Sequence, residues 1–350
     1  MYDVAISGYY GFKNSGDEAL LKSIIADLRR LVPNIKIVVF SNDPSFTKRA
    51  YNVESVNRMS LREVIRTLKN TKLLISGGGS LIQDATSTKS LMYYLGIIRL
   101  AKRCGAKVMI YANGVGPVSG RLNRLMSRRT LNKTDCITLR EDDSFNELKS
   151  MGVNISLAEV TADPALGLLP DGSGKAEAKR LFGEKTPVAF SVREWKTLGE
   201  GGKDAIEKCI MKLKDCGYEP FMLPMQYSRD EKICREIAGK TGISVLSDGY
   251  EVEKLLGILS CCPVVVGMRL HALIYAIAAE SSAVGIVYDP KVRGFMKSAG
   301  LSAMTDVEDL TCDGLFEQIM SSIEEKPDID LPEMRRRAFK NAQKAVEFLK

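Results

Sequence analysis

No apolar run in this chain approaches the roughly 18 to 20 residues that a membrane-spanning helix needs. The opening MYDVAISGYYG has neither the basic segment nor the long apolar core of a secretion signal, so a cytoplasmic protein is expected. Histidine is almost absent: one in 350 residues, His271, so any imidazole acid–base chemistry has a single candidate. The eight cysteines include no CxxC and have only that histidine to help them, whereas a structural zinc site wants four nitrogen or sulfur ligands at close spacing. Reduced thiols and no metal are expected. No GxGxxG and no Walker lysine–Ser/Thr pair is present, which disfavours NAD and ATP. RNP-like aromatics, zinc-finger spacing and Gly/Arg tracts are missing too, so the net charge of +7 does not point to nucleic acid. That charge suits an anionic substrate or surface.

What is present is globular. With 45% apolar and 27% charged residues the chain buries real cores, and at roughly 150 residues per domain its length predicts two. Apolar strand-like runs alternate with helical stretches, the signature of parallel sheets covered on both faces. In the first half the expected strands are Asp3–Ser7, Lys36–Phe40, Leu73–Ser76, Lys107–Ala112, Cys136–Leu139 and Ile155–Glu159. Residues 164–187 carry proline, glycine and charge, as a connection between domains does. A second series begins at Val188–Val192 and continues through Tyr218–Leu223, Ser244–Leu246, Val264–Val266 and Ala283–Val287. The expected architecture is α/β, with two Rossmann-like domains of parallel sheet facing across a cleft, as in GT-B glycosyltransferases. Residues 1–165 would form the first domain, 166–186 a linker and 187–330 the second domain. A terminal helix over 331–350 would pack across the junction.

Candidate site residues fall at strand ends, where open α/β sheets bind ligands. In VVVGMRLHALIYAIAAE the valine strand stops at Gly267 and an apolar helix follows, so Arg269 and His271 lie at the helix N-terminus. Free amides and the helix dipole favour an anion there, and Arg269 adds a guanidinium. Arg193 ends the first strand of the second domain, and Lys291 follows its last strand; a solvent ion pair or a solvated loop lysine explains each equally well. In the first domain, SGYYGFKNSGDEALL is a strand, a glycine turn and a helix start bearing Asn14, Asp17 and Glu18. Those groups near Tyr9 and Tyr10 suit a sugar, with hydroxyls to bond and a face to stack; simple helix capping accounts for them as well. Gly78 and Gly79, then Asn113, mark two further strand ends on the same wall.

The set GYYGFKNSGDEALL, ISGGGSLIQD, YANGVGP, LREDDS, TADPAL, VREW, GMRLHALIYA and YDPKV resembles the polysaccharide pyruvyl transferase family, in consistent order from residue 3 to about 295. The resemblance implies a GT-B-like fold, phosphoenolpyruvate as donor and co-substrate, no cofactor and no metal. It puts Arg193, Arg269, Leu270 and His271 on the phosphoenolpyruvate-binding positions, and Asn14, Asp17 and Glu18 on an acceptor motif. It further implies a lipid-linked amino sugar acceptor, pyruvylated as a cyclic ketal on the 4- and 6-hydroxyls of N-acetylmannosamine, in bacterial cell-wall polymer synthesis. Such an acceptor calls for peripheral contact with a membrane face. The basic stretches Arg121, Arg124, Arg128, Arg129, Lys133 and Arg335–Arg337 with Lys340 could supply it or be ordinary solvated helix faces. A nucleotide-sugar glycosyltransferase and a non-catalytic sugar or anion receptor are the alternatives.

Overall fold

The computed structural model describes residues 1–85 and 87–349, which divide into two compact units, Met1–Gly167 with Pro332–Lys350, and Leu168–Leu331.

The first unit is built on strands β1 (Tyr2–Ser7), β2 (Ile37–Ser41), β3 (Glu54–Asn57), β4 (Thr71–Gly77), β5 (Lys107–Asn113), β6 (Cys136–Leu139) and β7 (Ala158–Val160). They form one parallel sheet in the order β3-β2-β1-β4-β5-β6-β7. The helices between them are α1 (Ser15–Leu31), α2 (Pro44–Tyr51), α3 (Leu61–Leu68), α4 (Thr88–Arg103), α5 (Arg121–Leu131) and α6 (Asp142–Met151). Strands such as β2, IVVFS, are buried along their whole length, as a sheet covered on both faces requires. One face packs against α3 to α6 through Val64, Leu68, Leu91, Leu95, Leu131 and Leu148. The other packs Val4, Ile6, Val39 and Ile75 against Leu21, Ile24 and Leu28 of α1.

The second unit holds α7 (Gly172–Phe182), β8 (Thr186–Ser191), α8 (Gly199–Asp215), β9 (Tyr218–Met222), α9 (Tyr227–Thr241), β10 (Ser244–Val245) and α10 (Val252–Leu259). It continues with β11 (Val264–Gly267), α11 (Leu270–Ala278), β12 (Ser282–Val287), α12 (Pro290–Ser298), β13 (Met304–Asp306) and α13 (Cys312–Glu324). Its parallel sheet runs β10-β9-β8-β11-β12-β13. Both sheets are therefore doubly wound about a reversal of strand order, between β1 and β4 in one and between β8 and β11 in the other. Loops on either side of such a reversal leave in opposite directions and open a crevice at the carboxyl edge.

Two expectations change. The stretch 166–186 is not a bare connection, because most of it is helix α7 of the second unit. Asp171 caps this helix by accepting from the Ser173 amide at 2.8 Å, and Gly174, Ala178 and Phe182 form its buried stripe. Its glycine serves contact: a Cβ on Gly174 would lie 2.1 Å from the Lys254 carbonyl oxygen and 2.6 Å from Gly257 Cα. Gly174→Ala should therefore lower stability by about 1 to 3 kcal/mol, read as a lower denaturation midpoint with an unchanged slope. The terminal helix α14 (Leu331–Glu347), expected to bridge the domains, buries Ala342 and Ala345 in the core of the first unit. Its bases are engaged there: Arg335 donates to the Leu166 carbonyl at 3.1 Å, Arg337 to that of Thr161 at 2.7 Å, and Lys340 and Lys344 pair with Glu159. Arg336 pairs with Glu333 on the same helix. Of the second basic stretch, Arg335, Arg337 and Lys340 thus tie the terminal helix to the first unit.

Candidate active site

In the second unit, register places Gly267 of β11 beside Ser191 of β8 and Gly285 of β12, and the Met268 amide donates to the Ser191 carbonyl at 2.8 Å. Arg193, two residues beyond β8, and Arg269, two beyond β11, thus flank the reversal point of this sheet. Arg193 is gripped by two rings, its guanidinium carbon 5.1 Å from the Trp195 centroid and 5.0 Å from that of Tyr288. Its Nη1 donates to the Tyr288 hydroxyl at 3.0 Å. Its Nε is buried with no hydrogen-bond partner among the described residues, and so is Ser191 Oγ, two residues earlier in the chain. Buried donors in a folded protein are nearly always satisfied, so both groups have hydrogen-bonding capacity to spare for a ligand.

Arg269 differs. It is the N-cap residue of α11, but its side chain makes no cap bond; its head pairs with Asp230 through two nitrogens, Nε at 3.0 Å from Oδ2 and Nη2 on Oδ1. Asp230 is fully buried in α9 and also accepts from the amides of Met225, at 3.2 Å, and Gln226, at 2.9 Å. Arg269 is therefore an oriented, largely neutralised guanidinium rather than a free cation. His271 and Leu270 form the first turn of α11, with the imidazole centroid 6.4 Å from the Tyr275 ring. Lys291 starts α12, pairs with Asp289 at 3.1 Å and stands 5.9 Å above the Tyr288 ring. The sheet thus brings Arg193, Arg269, Leu270, His271 and Lys291 to one edge of one unit. Asp230 was not anticipated; nothing marks it in sequence, since it lies 39 residues before its partner.

In the first unit the expected acceptor residues meet at the carboxyl ends of β1, β4 and β5, but several are fully engaged. Tyr10 is core: its ring is buried and its hydroxyl donates to the Gly77 carbonyl at 2.6 Å. Burial pushes its pKa well above the ordinary value. The ring folds beneath Gly8, where a Cβ would lie 2.4 Å from Tyr10 Cζ. The expectation of Tyr10 as a sugar-stacking face is corrected. Glu18 is buried and takes the Gly11 amide at 2.8 Å and the Tyr51 hydroxyl at 2.7 Å, tying the loop after β1 to α1 and α2. Burial raises its pKa against the pull of those two donors. Asn14 caps α1 by accepting from the Gly16 amide at 3.2 Å, and Asn113, wholly buried, donates to the carbonyls of Ser76, at 2.9 Å, and Tyr111, at 3.2 Å. Asn113 Oδ1 and Ser7 Oγ are buried without a partner among the described residues. Asp17 is half-buried, and a Cβ on Gly79 would lie 3.0 Å from its Oδ1, so it adjoins the glycine turn, where Gly78 and Gly79 have φ of +68° and +73°.

Three features here escaped the sequence. Tyr9 and Phe12 stack, 4.1 Å apart and 6° from parallel, and both are half-exposed. Arg58 is buried against Phe12 and Tyr93, 5.3 and 4.4 Å from their centroids, and donates to the Gly8 carbonyl at 3.1 Å. Arg140, at the end of β6, is buried with Glu141, at 3.1 Å, and Asp163, at 3.0 Å, and reaches Ser80 Oγ at 3.0 Å. Burial works against its charge, but the two carboxylates together outweigh that and raise its pKa. This cluster locks the glycine turn after β4 to the ends of β6 and β7. The motifs LREDDS and TADPAL contained its residues without assigning them a task.

Two doubly wound parallel sheets with ligand-ready carboxyl edges define a protein of the GT-B-like class. Solved structures agree: a UDP-GlcNAc 2-epimerase from Methanocaldococcus jannaschii matches with a TM-score of 0.68 at 10% identity, covering 99% of both chains. Anabaena HepE in complex with UDP-glucose matches at 0.63 and 13% identity, over 100% of this chain and 96% of that one. The family model of polysaccharide pyruvyl transferases matches residues 14–290, and the chain belongs to that family. Membership makes it a transferase. The amylovoran biosynthesis protein AmsJ of Erwinia amylovora is similar at 24% identity over 332 residues, 88% of this chain and 78% of that protein.

Proposed function

We propose that the protein transfers the pyruvyl group of phosphoenolpyruvate to two hydroxyls of one sugar, forming a cyclic ketal and releasing phosphate. The observation that carries this reading is the edge where Arg193, with an unsatisfied buried Nε, and Arg269, fixed by Asp230, flank the start of α11. Phosphoenolpyruvate presents a carboxylate and a phosphate on one small frame, and two guanidinium groups in fixed relation with a helix N-terminus match it. A proton delivered to C3 leaves C2 electrophilic. The first sugar hydroxyl adds there, and its proton balances the one given to C3. The C2–O bond to phosphate then breaks, the second hydroxyl closes the ring, and its proton leaves with phosphate. His271 is the acid that serves this exchange.

The first unit's edge is assigned to the sugar, with Tyr9 and Phe12 as the stacking surface in place of Tyr10, and with Asp17, Asn14 and the Gly78–Gly79 turn beside them. The acceptor we assign is the lipid-linked amino sugar that the family resemblance implies.

The test is phosphate release from phosphoenolpyruvate with and without an N-acetylmannosamine–N-acetylglucosamine diphosphate-lipid, followed by mass analysis of the sugar. Acceptor-dependent release with the mass gain of a pyruvate ketal supports the reading. Binding of UDP-glucose, with no binding of phosphoenolpyruvate, turns it over to a nucleotide-sugar transferase. Arg193→Lys keeps the charge but loses the planar fork, so phosphoenolpyruvate should bind about 10- to 100-fold more weakly by titration calorimetry, matching the loss of one charged hydrogen bond.

A further inference from the structure

Helix α5 presents an unusual face to solvent. Ser127, Thr130 and Leu131 point into the core of the first unit. At about 100° per residue that leaves Arg121, Leu122, Leu125, Arg128 and Arg129 outward. Leu122 is 68% and Leu125 39% exposed. A solvated helix face ordinarily mixes charges of both signs, but Arg121–Lys133 contains five bases and no acid. Among the described residues only Arg124 of these five forms an ion pair, with Glu147 at 3.0 Å, and it also donates to the Val118 carbonyl at 2.9 Å and to Ser150 at 2.8 Å. Arg121, Arg128, Arg129 and Lys133 form no ion pair with any described residue.

Helices α3, α4 and α5 share one core on one face of the sheet. Asp84, the acid nearest α5 in the loops, is occupied by the amides of Ser119 and Gly120 and by Asn123. Asp142 and Asp143, both exposed, open the neighbouring helix α6.

We propose that this face of α5 docks on an anionic phospholipid bilayer, with Leu122 and Leu125 entering the boundary between headgroups and acyl chains and the four unpaired bases meeting lipid phosphates. A second copy of the chain is a poor occupant, because an isologous contact sets arginine against arginine. The inference rests on the proposed lipid-linked acceptor only for its purpose; the surface itself is tested without any sugar.

The experiment is co-sedimentation of the full chain with vesicles of phosphatidylglycerol and phosphatidylcholine, against pure phosphatidylcholine, at low and high salt. Binding should require the anionic lipid and weaken with salt, as exposed charges are screened. Each cation near the surface is worth roughly a fivefold change in partitioning, so Arg121→Gln with Arg128→Gln and Arg129→Gln should lose on the order of a hundredfold. Leu122→Ser with Leu125→Ser should also weaken binding, and circular dichroism should show both variants folded. Equal binding to neutral vesicles, or full binding by the triple variant, overturns the proposal. So does self-association abolished by the leucine variant in a protein that ignores vesicles. Phosphate release on a water-soluble acceptor, unchanged in both variants, separates failure of docking from failure of the transferase reading.

Discussion

His271→Ala should lower turnover of phosphoenolpyruvate by about 10² to 10⁴, the range for removing a positioned proton donor, while leaving its dissociation constant within a few-fold. The imidazole sits in the first turn of α11, two residues past Arg269 and at the reversal point of the sheet. It is the single imidazole in the chain, so no neighbour of the same chemistry can replace it. Anion binding is assigned to Arg193, Arg269 and the helix N-terminus, and the substitution leaves these in place. Binding and chemistry should therefore separate: calorimetric titration stays near normal while single-turnover phosphate release collapses. A structural role makes the opposite prediction. If the ring only packs on Tyr275, thermal stability and affinity fall together, and His271→Gln, which keeps polarity and most of the volume, restores turnover. Near-normal turnover in His271→Ala would sink the assignment outright.

How much of this could be read from residues alone depends on what kind of signal each part leaves. Strands β1, β2, β4, β5, β11 and β12 were legible because a strand buried on both faces must be an unbroken apolar run. The edge strands β3, ESVN, and β13, MTD, were missed because they are short, polar and buried on few sides. Helix α7 was read as linker because Gly172 and Gly174 look like flexibility, when Gly174 exists to let two backbones touch. The same ambiguity misled the reading of Tyr10. An aromatic beside a glycine loop suggests an open face, and only the three-dimensional fold shows that the missing Cβ of Gly8 makes room for the ring beneath it. Strand ends put Arg193, Arg269 and His271 at one sheet edge because topology places them, whereas pairing partners such as Asp230, Arg58 and Asp163 are chosen by packing between distant segments.

That distant pairing decides the second large effect. Asp230→Asn keeps the shape of the side chain but removes the charge that holds Arg269 through two nitrogens. Two consequences compete. Loss of the carboxylate leaves Arg269 with more net positive charge, which draws an anion in. It also frees a long side chain whose guanidinium now has no fixed position, and a displacement of about 1 Å at a reacting centre can lower a rate by around 10². Orientation should win, because the carboxylate also receives the amides of Met225 and Gln226 and so sets Arg269 against the backbone before α9 rather than against another mobile side chain. The expected result is a fall of about 10² in kcat, with the phosphoenolpyruvate dissociation constant moving much less. Asp230→Ala should go further and destabilise the unit by about 3 to 5 kcal/mol, as removal of one member of a buried ion pair does, visible as a lower urea midpoint. Tighter phosphoenolpyruvate binding with unchanged kcat in Asp230→Asn would show that the aspartate only balances charge. In that case Arg193, held by Trp195 and Tyr288, is the guanidinium whose geometry matters.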